Sequence, residues 1–167
     1  MKKALFVIDM QNIFIGEKHR KYYKYDCEGL IDSVNSVIEA NKDNLVIYIY
    51  NLTKDNFFSR LLPFHACEGS EEARLVKLLQ IESNYAFSKY KGNAFTNPAL
   101  NPFLKEHEID CIEVVGIDGG GCVSLTGLGA IENGYHVIIK EKAIGTMFEK
   151  RKEKYFKKLE HLGAEFR

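Results

Sequence analysis

The chain has no surplus of charge: 23 Lys and Arg stand against 23 Asp and Glu in 167 residues. A polyanionic partner calls for an excess of cationic side chains, so the balance argues against nucleic acid and against an anionic membrane surface. No apolar run approaches the ~20 residues needed to cross a bilayer. Met1-Lys2-Lys3 leads into a short apolar run, Ala4 to Ile8, that Asp9 and Gln11 end before it could serve as a signal peptide. A cytoplasmic protein with no membrane partner is therefore expected. The four cysteines, Cys27, Cys67, Cys111 and Cys122, form no C-x-x-C pair, which argues against zinc-knuckle and dithiol redox patterns and predicts free thiols. Internal repeats, low-complexity segments and linkers are also missing. Residues 1–167 thus read as a single domain, long enough to bury a core.

What is present is an alternation of strand and helix patterns. Lys3–Asp9, Asn44–Tyr50, Asn84–Tyr90, Asp110–Gly116 and Tyr135–Lys140 are short runs rich in strand formers, and Ala164–Phe166 is a short sixth. Between them, apolar residues at helical spacing predict helices over Asp26–Asn41, from Ser70 (with Leu75, Leu78 and Leu79 as its apolar face), over Thr96–His107, Gly121–Asn133 and Met147–Leu162. Asn51–Gly69 has weak periodicity and reads as a long surface loop. Strands alternating with helices imply parallel pairing in a doubly wound, three-layer α/β/α sandwich with a six-stranded, mainly parallel sheet.

Such sheets bind ligands at the carboxyl ends of their strands. Asp9 ends the first strand, where partial burial would raise its pKa and suit it to general-base work; capping a loop or helix is the alternative. Cys122 stands where the glycine-rich turn Gly116–Gly121 becomes a helix. Unpaired N–H groups and the helix dipole there favour a thiolate and an oxyanion, or else the residue simply packs beneath the turn. Lys89, near the end of the third strand, gains meaning beside an acid and a thiol, where its charge would lower the Cys122 pKa and orient Asp9. A phosphate cradle is a competing use of the glycine turn. Its spacing does not fit G-x-G-x-x-G, because Ser124 stands where the third glycine would be.

These segments resemble the isochorismatase-like cysteine hydrolases, a superfamily that includes nicotinamidases, N-carbamoylsarcosine amidases and ureidoacrylate hydrolases. Ala4–Phe14 resembles an opening strand running into D-x-Q-x-x-F, Lys89–Phe95 the segment carrying the family's lysine, and Val114–Val123 with Ala130 and Gly134–Val137 its nucleophile segment. The resemblance covers nearly the whole chain and implies a six-stranded parallel sheet. In it Asp9 would be the base, Lys89 the supporting cation and Cys122 the nucleophile. It also implies an oxyanion hole from the backbone N–H groups of Asp118 and Cys122, a cis peptide between Ile117 and Asp118, and a homodimer or homotetramer. Many relatives carry Thr-Asp where this chain has Gly119-Gly120, which would remove side chains near the pocket. Nicotinamidases also carry an Asp-x-His metal motif; Asn51-Leu52-Thr53 stands here, and His65 alone is no metal site, so no metal and no cofactor is expected. Pocket walls are expected from Phe14, the Asn51–His65 loop, Tyr90 and Phe95, aromatics that could equally be core or subunit contacts. The expected activity is hydrolysis of a small-molecule amide or ureido C–N bond through a thioester on Cys122. The alternatives are an inactive ligand-binding or assembly module, and vinyl ether hydrolysis.

Overall fold

Lys3–Ile8 is apolar at every position after its first, and those residues are all buried. A strand with both faces buried needs layers above and below it, and the structure supplies them. A computed structural model describes residues 1–18, 22–23, 25–55 and 65–167. Its strands are β1 (Lys3–Ile8), β2 (Leu45–Asn51), β3 (Ala86–Lys89), β4 (Cys111–Ile117), β5 (His136–Gly145) and β6 (Glu165–Phe166). They form one sheet in the order β3-β2-β1-β4-β5-β6, with every pair parallel. The helices are α1 (Asn12–Ile15), α2 (Cys27–Glu39), α3 (Leu100–Glu106), α4 (Cys122–Glu132) and α5 (Glu149–His161). Alternate residues of β1 divide the core. Leu5 and Val7 pack with Leu30, Val34 and Ile38 of α2, whereas Ala4, Phe6 and Ile8 pack with Leu104 of α3, Leu128 of α4 and Leu159 of α5. No helix among the described residues is long and apolar enough to cross a membrane.

Strand order reverses between β1 and β4, and in such sheets it is the carboxyl edge at this switch point that receives ligands. Just below it Gly116 has φ +111°, and a Cβ would stand 2.1 Å from the Ile8 carbonyl oxygen, so glycine alone permits this approach of the two strands.

The helix expected from Ser70 does not form. Its residues make single turns, Ala73 N–H to Ser70 and Arg74 N–H to Glu71. The chain then lies along the end of β1: Leu75 bridges Gln11 antiparallel, Asn12 and Ile13 donate to Arg74 and Glu72, and Val76 donates to Met10. Backbone groups spent on that partner are not available to a helical ladder, and Leu78, assigned to an apolar face, is 69% exposed. The helix expected from Thr96 starts at Leu100 instead. Pro98 holds Asn97 extended (φ −78°, ψ 116°), and a separate 3-10 turn covers Ala94–Thr96. β5 outruns its apolar core, continuing past Lys140 to Gly145 through a register shift against β4. α1 was not anticipated; four residues carry too little periodicity.

One carboxylate lies inside the sheet layer. Glu113, on the α2 side of β4, is 3% exposed and meets Lys3 at 2.7 Å and Lys140 at 3.5 Å. Burial pushes its carboxyl up, but the Lys3 bond and charge, with Asn41 and Lys140, outweigh burial and hold it below its ordinary value. A depressed folded-state pKa stabilises the protein fully above the unfolded value of about 4.3, and that stability is lost as pH falls through the folded value. Glu113→Gln is expected to cost about 2 kcal/mol at pH 7. Urea titrations from pH 7 to pH 3 should show the two proteins converging on the acid side. A gap independent of pH would assign the loss to packing rather than charge.

Candidate active site

Asp9 follows β1 directly, with its N–H on the Ile49 carbonyl at 2.9 Å and φ at +54°, a left-handed conformation that aspartate tolerates. Gln11 fixes this bend. Its fully buried amide donates to the carbonyls of Asn51 (3.2 Å) and Ala73 (2.9 Å) and accepts the Asn51 N–H at 2.7 Å. Lys89 ends β3, two strands away, a distance of about 10 Å across the sheet edge. Only a long side chain spans it: the Lys89 Nζ reaches Asp9 Oδ2 at 2.8 Å, and the two side chains are 0% and 2% exposed. The segment after Lys89 is locked onto the neighbouring helix. Thr126 of α4 accepts the Ala94 N–H at 3.1 Å and donates to Gly92 at 3.4 Å, and a side chain at Gly129 would collide with Asn93.

Cys122 opens α4 after a tight turn in which the Asp118 carbonyl accepts from Gly121 and Val123. The peptide between Ile117 and Asp118 is cis, at the bond the resemblance implied. Among the described residues, neither the Asp118 nor the Cys122 N–H is spent on a backbone acceptor. The thiol lies near enough to Asp9 and Lys89 for all three groups to act on one another. Among the described residues Asp9 Oδ1, buried, has no hydrogen-bond partner, while Oδ2 is held by Lys89. Burial raises the Asp9 carboxyl, and Lys89 opposes that only in part. Burial and then the Asp9 charge push the Cys122 thiol up to about 12, against the lowering by Lys89. The expectation of a stabilised thiolate is thus corrected: desolvation and a facing carboxylate outweigh one ammonium. The Cys122 thiol is thus held neutral, facing an Asp9 carboxyl of raised basicity whose Oδ1 has no partner among the described residues.

Asp9, Lys89 and Cys122 therefore come together, although 80 residues separate Asp9 from Lys89. The pocket residues disperse. Phe14 meets Tyr23 edge-on at 5.5 Å, and Tyr23 stacks on Tyr25 at 6.2 Å, forming an aromatic file whose tyrosines were not singled out from sequence. Tyr90 is 51% exposed beside Lys89. Phe95 turns into the core against Phe6 and Tyr135. Gly119 and Gly120 are buried, and any Cβ on them would press on Ile144 and Lys152, or on Phe148 and Arg151. Their lack of side chains admits the start of α5 rather than widening the pocket. Within the expected Asn51–His65 wall, residues 56–64 lie outside the described residues. The side chains at 51–53, an amide, an alkyl group and a hydroxyl, supply no carboxylate or imidazole to hold a metal. No cluster of three His, Cys, Asp or Glu among the described residues could hold one.

A family model described as Isochorismatase domain matches residues 3–167. Isochorismatase family protein PncA of Bacillus subtilis (strain 168), described as uncharacterized, is 27% identical over 165 residues, covering 87% of each chain. Two solved structures superpose closely. N-carbamoylsarcosine amidase from Thermoplasma acidophilum is 24% identical with a TM-score of 0.83, covering 100% of this chain and 96% of that one. The nicotinamidase/pyrazinamidase PncA of Bacillus subtilis is 23% identical with a TM-score of 0.86, covering 99% of each.

The electrostatics predict the behaviour of the thiol. Site-resolved alkylation should find Cys122 slow at pH 6 and rising only on the alkaline side. Asp9→Asn should move its profile down by about one to three pH units. A profile unmoved by that substitution would show that the carboxylate does not hold the proton on sulfur.

Proposed function

The chain belongs to the isochorismatase family of hydrolases, and from that premise we propose that it cleaves a C–N bond of a small amide or ureido compound through a covalent intermediate on Cys122. The observation that supports this most is the buried Asp9–Lys89 pair, at 2.8 Å, set beside a thiol at the start of a helix. A buried ion pair costs desolvation, and neither partner caps the neighbouring helical turns, whose N-caps are Gln11 and Asn93. Asp9 Oδ1 takes the Cys122 proton as sulfur attacks the carbonyl carbon. The carbonyl oxygen becomes an oxyanion received by the N–H groups of Asp118 and Cys122. The tetrahedral species collapses with loss of the C–N bond, and Asp9 returns the proton to the departing nitrogen. Water then attacks the thioester, Asp9 taking its proton. The C–S bond breaks and the acid leaves, while the thiol regains its hydrogen. Lys89 orients Asp9 throughout and favours its charged form between the proton transfers.

A panel of small carboxamides and ureido compounds tests this. Cys122→Ala and Asp9→Asn should each lower kcat/KM about a thousandfold or more, and intact-mass measurement of acid-quenched wild-type protein should show the acyl group on Cys122. Activity that survives Cys122→Ala but not Asp9→Asn would sink the covalent route and point to acid chemistry of the vinyl ether kind. Binding without any turnover would favour a ligand-binding module.

A further inference from the structure

Tyr25 takes no part in the steps above, yet its hydroxyl lies 3.0 Å from Asp118 Oδ2. The backbone N–H of Asp118 is one of the two offered to the oxyanion, and its carboxylate is crowded. Oδ1 accepts the Gly120 N–H at 2.6 Å and the Thr146 hydroxyl at 3.2 Å; Oδ2 accepts the Met147 N–H at 2.7 Å. A backbone N–H can only donate, so both carboxylate oxygens are acceptors and Tyr25 must be the donor in its bond to Oδ2. Its proton being committed, the Tyr25 oxygen has only lone pairs to offer a ligand. The hydroxyl is near enough to Cys122 for the charge of the sulfur to act on it. Stacking on Tyr23, with interplanar angle 10°, holds the ring in place.

We propose that Tyr25, held as an acceptor by Asp118, is a specificity-determining residue that selects substrates with an N–H on the acyl side of the scissile carbonyl, meaning ureido (N-carbamoyl) compounds over plain carboxamides. The proposal rests on the reading that Cys122 attacks a carbonyl C–N bond. Sheet order assigns the sides. Lys89 ends β3 and Asp9 follows β1, whereas the other partners of Asp118, Thr146 and Met147, follow β5 across the switch point. The leaving nitrogen must face its proton donor Asp9, so the group that stays on the carbonyl is directed toward Tyr25. In a carboxamide that neighbour is carbon, and the acceptor goes unmet. In a ureido compound it is N–H. Attack on R–NH–CO–NH2 expels ammonia with the proton from Asp9 and leaves R–NH–CO–S on Cys122. Water then releases the carbamic acid R–NH–COOH, which breaks down to carbon dioxide and R–NH2, and the thiol is restored.

N-carbamoylglycine and succinamate differ only by NH in place of CH2 at this position, with the same terminal amide and the same carboxylate. In Tyr25→Phe the ratio of their kcat/KM values should fall about tenfold or more toward succinamate, because the part-buried acceptor is lost while the ring remains. An unchanged ratio overturns the proposal, including the case where both activities fall together, which marks a merely structural tyrosine. Calorimetry on Cys122→Ala protein reads the tyrosine without turnover: N-carbamoylglycine should bind about tenfold tighter than succinamate, and equal or absent binding overturns the assignment. Selective binding with no acyl adduct on wild-type Cys122 would instead retain the Tyr25 assignment and reject the covalent reading.

Discussion

The contact between Lys89 and Asp9 is the constraint on which the rest of the site depends. Two opposite charges have been taken almost wholly out of water at 2.8 Å. Removing either would strand the other in a medium that solvates it poorly, at a cost of about 3–5 kcal/mol. Such a pair exists only if the scaffold over-determines it, and several features do so. β2 separates its strands, so Lys89 must extend across the sheet edge. Gln11 pins the bend that turns Asp9 inward. The latch of Thr126 and Gly129 fastens the loop after Lys89 to the helix that begins with Cys122. Acid, cation and thiol are thereby held by one continuous set of contacts.

The pair also sets the chemistry at sulfur. A lysine beside a cysteine is commonly read as thiolate-stabilising, but here the carboxylate lies nearer in effect, and burial acts in its direction. The proton stays on sulfur at rest. Raised basicity at Asp9 narrows the gap that the proton must cross when a carbonyl arrives. An unreactive resting thiol is consistent with a nucleophile that is activated only when an oxyanion forms between the N–H groups of Asp118 and Cys122.

Much of this was legible from residue order. The apolar runs of β1, β2 and β4 and the Asp26 cap of α2, whose side chain accepts the Gly29 N–H at 3.2 Å, are local signals with local causes. The site triad was readable because each member ends or follows a strand in a fold whose parallel strands all point to one edge. The segment from Ser70 was misread for the opposite reason. Its capping residues and leucines satisfy a helix locally, but the backbone groups of Met10–Ile13 are a partner that sequence periodicity does not reveal. Gly119 and Gly120 looked like missing pocket walls; contact with α5, thirty residues on, gives them a packing role instead.

Residue order sets the alternation of strands and helices, and with it the parallel sheet, its carboxyl edge and the residues placed there. Those follow from side-chain periodicity and chain connectivity, which are written in residue order. Folding alone sets the protonation of the thiol, the bond from Tyr25 to Asp118 and the burial of the glycine turn. Each depends on desolvation or on a hydrogen-bond partner many residues distant, and neither quantity exists until the layers have closed.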